Sequence, residues 1–238
     1  MSSSQYRYLG IITVLSVTVL IASNVASSAK IVDLGFSLFG IPMAFDGGAF
    51  IFPLSYILGD IVTEVYGFKS SRKVIWKGFA AMALFSVIFF ILQRLPGEAE
   101  WEGYAGSAAY SAILGGISSG GITIASLTAY LVGEFTNAMT LSRIKVAMKG
   151  KLLWVRTIAS TLIGQLLDTV IFVTIATLLG VFPWELFMTL VLTNYIFKCL
   201  TEAVLTPATY LTVKKLKKAE NADVYDKDIS FNPFKFKL

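Results

Sequence analysis

The sequence contains no histidine and a single cysteine, Cys199. The first absence removes imidazole zinc sites, Ser-His-Asp triads and histidine proton relays. The second removes an internal disulfide and any four-cysteine structural metal site. Cys199 lies in an apolar run and reads as a packed thiol. Charge is scarce as well: 15% of the 238 residues are charged, where a soluble domain carries about 25%. What fills the chain instead is 55% hydrophobic residues, with 18 Phe, 10 Tyr and 4 Trp, at a mean hydropathy of +0.72. Lipid, not water, is the solvent such a composition suits.

A helix needs about 20 residues to cross roughly 30 Å of hydrocarbon. Six segments are long and apolar enough: residues 8–29, 48–66, 74–95, 117–139, 153–180 and 185–212. The first ends in Ser27-Ser28-Ala29, which a signal peptidase would accept. Its apolar run is longer than a signal core, however, and five more spans follow. Residues 34–47 are apolar but broken by Gly35, Gly40, Pro42 and Gly47; they fit a re-entrant or interfacial loop or a strand pair, and the pattern does not choose. Pro53 and Pro207 mark kinks or breaks in spans two and six. Gly116, Gly120 and the Ser160–Gly164 pair are expected to allow close helix packing. From Lys214 onward the chain is charged and reads as a mobile tail.

The net charge of +5 is explained by placement. Seventeen of the 20 Lys and Arg fall before span one, in or beside the connection between spans two and three, in or beside that between four and five, or after six. By the positive-inside rule that side is cytoplasmic. No nucleic-acid partner is needed. The expected architecture is an all-α membrane protein, a six-transmembrane-helix bundle with both termini cytoplasmic. Its transporter domain is residues 1–212, followed by a cytoplasmic charged tail, 213–238. With both ends on one side, any three-plus-three division of the spans would be inverted, as in many carriers.

The informative residues are polar groups where lipid forbids them. Span two carries Phe52, Tyr56, Asp60 and Glu64 at spacing four, one slowly drifting helical face. Span four has Glu134 and Asn137 near its inner end. Span five has Gln165 and Asp168, and span six has Asn194, Lys198 and Glu202. Ser23 and Asn24 lie in the outer half of span one. A central Lys or Asp costs about 2.5–3.5 kcal/mol on an insertion scale, and a large apolar residue returns about 0.3–0.6. Lys198 and Glu202 would therefore cancel most of what span six gains, unless they face partners or water inside the bundle. Lys198 can pair with Glu202 or with Asp168 across the bundle, and Arg156 can neutralise a carboxylate. These features suit a carrier of a small polar solute.

The run from Phe52 to Gly67 (FPLSYILGDIVTEVYG), then Glu134-Phe135-Thr136-Asn137, then Arg156 to Asp168 (RTIASTLIGQLLD), then Lys198 to Glu202 and Thr206-Pro207, resembles the queuosine precursor transporter family, also called the vitamin uptake transporter family. The likeness covers residues 20–212. It implies import of 7-deazaguanine bases, such as 7-cyano- or 7-aminomethyl-7-deazaguanine, by a stand-alone secondary carrier with a six-helix fold. The residue chemistry agrees. A guanine-like edge offers two adjacent donors to a carboxylate. Its ring faces can stack on Phe52, Tyr56 or Tyr195, and its carbonyl can accept from Lys198, Asn194 or Gln165. The expected substrate site is Phe52, Tyr56, Asp60, Glu64, Glu134, Gln165, Asp168, Asn194, Lys198 and Glu202. One carboxylate binds the base, and another can exchange a proton. No cofactor and no metal is expected. The partners are a deazapurine base, protons and the lipid bilayer, with homo-oligomerisation left open. The location is the cell membrane, the inner one in a Gram-negative cell.

Two alternatives stand beside this reading. The chain can be the substrate-binding membrane subunit of an energy-coupling importer, using the same site without transporting alone. It can also be an intramembrane enzyme working through Asp60 and Glu64. The lack of histidine, activated cysteine and phosphate loop weighs against the enzyme.

Overall fold

The computed structural model describes residues 6–38 and 40–235. Residues 1–5, within the expected transporter domain, and 236–238, at the end of the expected tail, lie outside the described residues. The helices are α1 (Leu9–Ala29), α2 (Gly48–Ile51), α3 (Pro53–Tyr66), α4 (Phe68–Leu92), α5 (Ala99–Tyr104), α6 (Gly106–Ser118), α7 (Gly121–Ala147), α8 (Leu153–Leu178) and α9 (Phe187–Glu220). A two-stranded antiparallel hairpin, β1 (Ile31–Leu38) and β2 (Ile41–Asp46), follows α1. Six helical stretches among the described residues are long and apolar enough to cross a membrane, at the six expected places.

The bundle turns large apolar side chains outward as well as inward. On α1 the buried positions are Leu9, Ile12, Thr13, Ser16, Leu20, Ser23 and Asn24, a stripe at helical spacing. Ile11, Val14 and Leu15 point outward. Buried hydroxyls close back onto their own helix, as Thr13 does to Leu9 O (2.8 Å) and Ser16 to Ile12 O (2.9 Å), so they add no unpaired polar group.

The tightest packing joins α7 to α8 through glycines. A Cβ on Gly164 would lie 2.8 Å from Asn137 Cβ and 3.1 Å from Gly133 O. A Cβ on Gly133 would meet Gly164 O at 3.1 Å and Asp168 Cβ at 2.7 Å. The Gly164 expectation therefore holds, and Gly133 is its partner. Gly116 also packs closely, against Ile122 and Ser28. Gly120 does something else. Its φ of +86° ends α6 and starts α7, so the fourth span is a broken helix, with backbone there in the region only glycine enters freely. Pro53 sits at the first turn of α3, where its missing N–H costs nothing. Pro207 lies inside α9.

The segment left open between loop and strand pair is the hairpin. At the other end of the bundle the start of α1 meets the end of α9: Glu220, the last residue of α9, accepts from the Arg7 and Tyr8 backbone N–H at 3.1 and 2.7 Å and from Tyr66 Oη at 2.9 Å. The mobile tail expected from Lys214 is corrected for the described residues. Helix α9 continues to Glu220, turns at Asn221 (φ 48°), and residues 222–235 form a strap across this basic end. Asp226 accepts from Phe68 N (2.8 Å) and Ser142 Oγ (2.7 Å), Val224 N bonds Val65 O (3.3 Å), and Trp76 Nε1 bonds Pro233 O (2.9 Å). Gly67, at φ +79°, lets the strap in; a Cβ there would lie 2.7 Å from Val224 Cγ1.

Candidate functional site

Three polar layers run through the middle of the bundle. In the outer layer, nearest the hairpin, Lys198 Nζ donates to Asp168 Oδ2 at 2.9 Å and stands 4.5 Å from the centre of the Phe52 ring. Both charged side chains are at least 96% buried. Above them Asp46, at the end of β2, is 2% exposed. It accepts from Asn194 Nδ2 (2.7 Å), Gly48 N (3.0 Å) and Ser27 Oγ. These contacts tie the hairpin to α1, α2 and α9 and close the bundle at that end. The cavity among Ser23, Asn24, Asp46, Phe52, Asp168 and Lys198 is small, with about 20 Å³ open to the centre of a water-sized sphere. That is room for a water and not for a heterocycle.

The middle layer joins α3, α7, α8 and α9. Asn137 Nδ2 donates to Asp60 Oδ1 at 2.7 Å, and Thr161 Oγ1 donates to Glu202. Asp60 and Glu202 adjoin one another, with Gln165 beside Glu202. Ser55 Oγ donates to Glu134 Oε1 at 3.1 Å. Several atoms here are buried with no hydrogen-bond partner: Tyr56 Oη, Asp60 Oδ2, Asn137 Oδ1, Glu202 Oε2 and both amide atoms of Gln165. Native interiors pair nearly all such groups, and each one left bare costs about 1–3 kcal/mol. A cluster of them marks a place made to meet something polar.

The third layer closes the basic end. Glu64, fully buried, takes a two-point grip from Arg156 (2.7 and 3.3 Å) and a bond from Lys217 Nζ at 2.6 Å. Lys145 Nζ stands 3.5 Å from the same carboxylate. Lys145 also donates to Asp223 (2.6 Å), Val224 O (2.8 Å) and Glu64 O (2.6 Å). The strap is thus pinned to the network that seals the bundle. Burial pushes the Asp223 carboxyl up, but the hydrogen bonds and charge of Lys145 and Lys217 outweigh it and hold that carboxyl below its ordinary value.

The comparisons with known proteins bear on this arrangement. The sequence model of the family described as "Putative vitamin uptake transporter" matches residues 46–212, from the aspartate that ends β2 into the last span. The chain belongs to this transporter family. Its relatives include the queuosine precursor transporter of Escherichia coli (strain K12), 28% identical over 76% of each chain. The probable queuosine precursor transporters of Bacillus subtilis (strain 168) and Haemophilus influenzae (strain ATCC 51907 / DSM 11121 / KW20 / Rd) are 24% identical, over 78% of each chain and over 68% of this one (66% of the relative) respectively. No solved structure matches the chain.

Within this transporter bundle, every residue expected at the site is buried, but they do not form one group. Phe52, Asp168, Asn194 and Lys198 share the outer layer. Tyr56, Asp60, Glu134, Gln165 and Glu202 share the middle one. Glu64 belongs to the third, held by three cations. Of the two partners expected for Lys198, it takes Asp168 and not Glu202, which accepts from the Thr161 hydroxyl. Tyr195 is no lid for the site; its hydroxyl bonds Leu162 O, beside the outward-facing Leu162 and Ile196. Sequence reasoning missed Asp46, Ser27 and Thr161. Asp46 carried a signal, since it is a carboxylate in an otherwise apolar segment directly before Gly47-Gly48. Ser27 and Thr161 carried none, because a hydroxyl in a transmembrane helix usually bonds its own backbone.

Proposed function

We propose that this chain imports queuosine precursors, 7-deazaguanine bases such as 7-cyano- or 7-aminomethyl-7-deazaguanine, as a secondary carrier in the cell membrane. The names of its relatives supply the substrate class. The basic end faces the cytoplasm, following the Lys and Arg distribution. The base is held in the outer layer, where Phe52, Asp168 and Lys198 meet.

The observation that carries this reading is the buried Lys198–Asp168 pair beside an aromatic face. A guanine-like edge presents a carbonyl acceptor next to two N–H donors. When the pair parts to admit such an edge, Asp168 accepts hydrogen bonds from the two donors and the Lys198 ammonium donates one to the carbonyl. Neither charge is left unpaired in the interior, which would cost about 3–5 kcal/mol. The Phe52 ring stacks on the base at about 1–3 kcal/mol. Asn194 adjusts from Asp46 to a substituent. The small cavity fits a carrier closed at both ends, by Asp46 outside and by the Glu64 network inside. Alternating access then consists of breaking one of these closures at a time.

The test is uptake into cells that cannot synthesise the base, read as queuosine in their tRNA, with 7-cyano-7-deazaguanine, 7-aminomethyl-7-deazaguanine and guanine as competitors. Wild type restores queuosine, and Asp168→Asn lowers it at least tenfold. Full uptake by an Asp168→Asn, Lys198→Met double variant would refute the site. Purified protein in liposomes distinguishes a carrier, which moves the base alone, from a binding subunit, which binds without moving it.

A further inference from the structure

The five carboxylates of the outer and middle layers are Asp46, Asp60, Glu134, Asp168 and Glu202, all buried. Lys198 is the one cation among them in the described residues, and it is bound to Asp168. Asp60 and Glu202 adjoin each other. Each has one oxygen that accepts a hydrogen bond, from Asn137 and Thr161 respectively, and one oxygen without a donor.

The surrounding titratable groups do not relieve them. From α3, Tyr56 leaves its hydroxyl unpartnered, and Glu64 is taken up by Arg156, Lys145 and Lys217. From α7, Glu134 brings a further carboxyl. From α8, Arg156 is engaged by Glu64 and Asp168 by Lys198. From α9, Cys199 is a free thiol, partly buried, and brings no cation. Two adjoining carboxylates without a counter-ion cannot both stay ionised in a low-dielectric interior. The donor that would complete their hydrogen bonding is a proton on one of them.

We infer that Asp60 and Glu202 hold one proton between them and that this pair is the coupling site of the carrier, distinct from the Phe52–Asp168–Lys198 base site. This deepens the transport reading above and rests on it. The step is a simple ionisation. With the bundle open outward, water delivers a proton that bonds one carboxylate oxygen. With it open at the basic end, that O–H bond breaks and the proton leaves to water, so one proton crosses with each base and nothing is oxidised or reduced. The layer order suits this. The pair lies between the base site and the Glu64 closure, on helices α3 and α9, which also carry Phe52's neighbour Tyr56 and Lys198. Movement of either helix at one site is felt at the other.

Two measurements test the proposal. In liposomes loaded with buffer one pH unit more alkaline than outside and clamped to zero membrane potential, the wild-type protein accumulates 7-cyano-7-deazaguanine up to about tenfold, the ratio that one proton per base can sustain. Glu202→Gln, which keeps an acceptor for Thr161, brings the base to an inside-to-outside ratio of one, whatever its rate. The second measurement is infrared spectroscopy of the protein in lipid at neutral pH without base. The stretch of a protonated carboxyl is present in wild type and loses intensity equal to one group in Asp60→Asn, Glu202→Gln. Wild-type accumulation that ignores the pH gradient, or a protonated-carboxyl band unchanged in the double variant, would overturn the coupling site. Absence of both binding and transport of any deazaguanine by wild type would instead overturn the transport reading, while the infrared band still decides whether the pair holds a proton.

Discussion

Replacing Lys198 by methionine isolates the central ion pair. The substitution keeps the length and apolar stem but leaves Asp168, 2% exposed, without its ammonium partner at 2.9 Å. It also removes the cation 4.5 Å from the Phe52 ring. Breaking one side of a buried pair costs about 3–5 kcal/mol, and loss of a desolvated cation–π contact adds about 2. Proton uptake by Asp168 recovers part of this, so the expected net loss is about 2–5 kcal/mol. Against a total stability of roughly 5–15 kcal/mol, this is a large change in thermal midpoint, readable by tryptophan fluorescence in detergent. Adding Asp168→Asn removes the orphaned charge and restores stability to within about 1 kcal/mol of wild type. Base uptake is not restored, since neither the carboxylate nor the ammonium that reads the guanine-like edge remains. The coupling energy between the two sites is therefore expected to exceed about 2 kcal/mol. A Lys198→Met protein as stable as wild type, or a double variant no more stable than the single, would show that the two side chains are not paired in the membrane.

Three other outcomes follow from the same geometry. Glu64→Gln leaves Arg156, at 1% exposure, without its two-point partner; it is expected to raise amide hydrogen exchange across residues 222–226 and to cost about 3–5 kcal/mol, while Lys217→Met, at a position 24% exposed, costs less, about 1–2 kcal/mol, because Arg156 and Lys145 remain on Glu64. Because the folded Asp223 carboxyl ionises below its unfolded value, its contribution to strap docking is complete above the ordinary carboxylate value of about 4 and is lost as pH falls through the lower folded value; protection of the Val224 amide should be flat from pH 8 to about 5, fall below about 4, and lose that dependence in Asp223→Asn. Gly164→Ala puts a methyl 2.8 Å from Asn137 Cβ and 3.0 Å from Tyr56 Cε1, so it should destabilise by about 1–3 kcal/mol through overpacking, whereas Gly115→Ala, with open space at its Cβ, should be neutral or stabilising.

Six apolar runs of span length, set off by basic loops, were enough to determine a multi-spanning helical bundle, because backbone groups in hydrocarbon can be satisfied only within helices or a closed barrel. The same energetics forced Asp60, Asp168, Lys198 and Glu202 inward, since none of them can face acyl chains at acceptable cost. The stripe of spacing four on the second span placed Phe52, Tyr56, Asp60 and Glu64 on one face. Tertiary structure alone decided which polar groups meet. Helix period fixes the face of a residue but not the depth at which it faces a neighbour on another helix. Lys198 reached Asp168 and not Glu202, and Glu64 left the other site residues for three cations. The role of Asp46 depended on a hairpin that sequence pattern could not tell from a loop. The strap over the basic end was unreadable for a related reason: a charged, weakly apolar segment stays disordered by itself. It is held by hydrogen bonds and ion pairs to Phe68, Ser142, Lys145 and Trp76, residues some 80 to 160 positions distant in the chain.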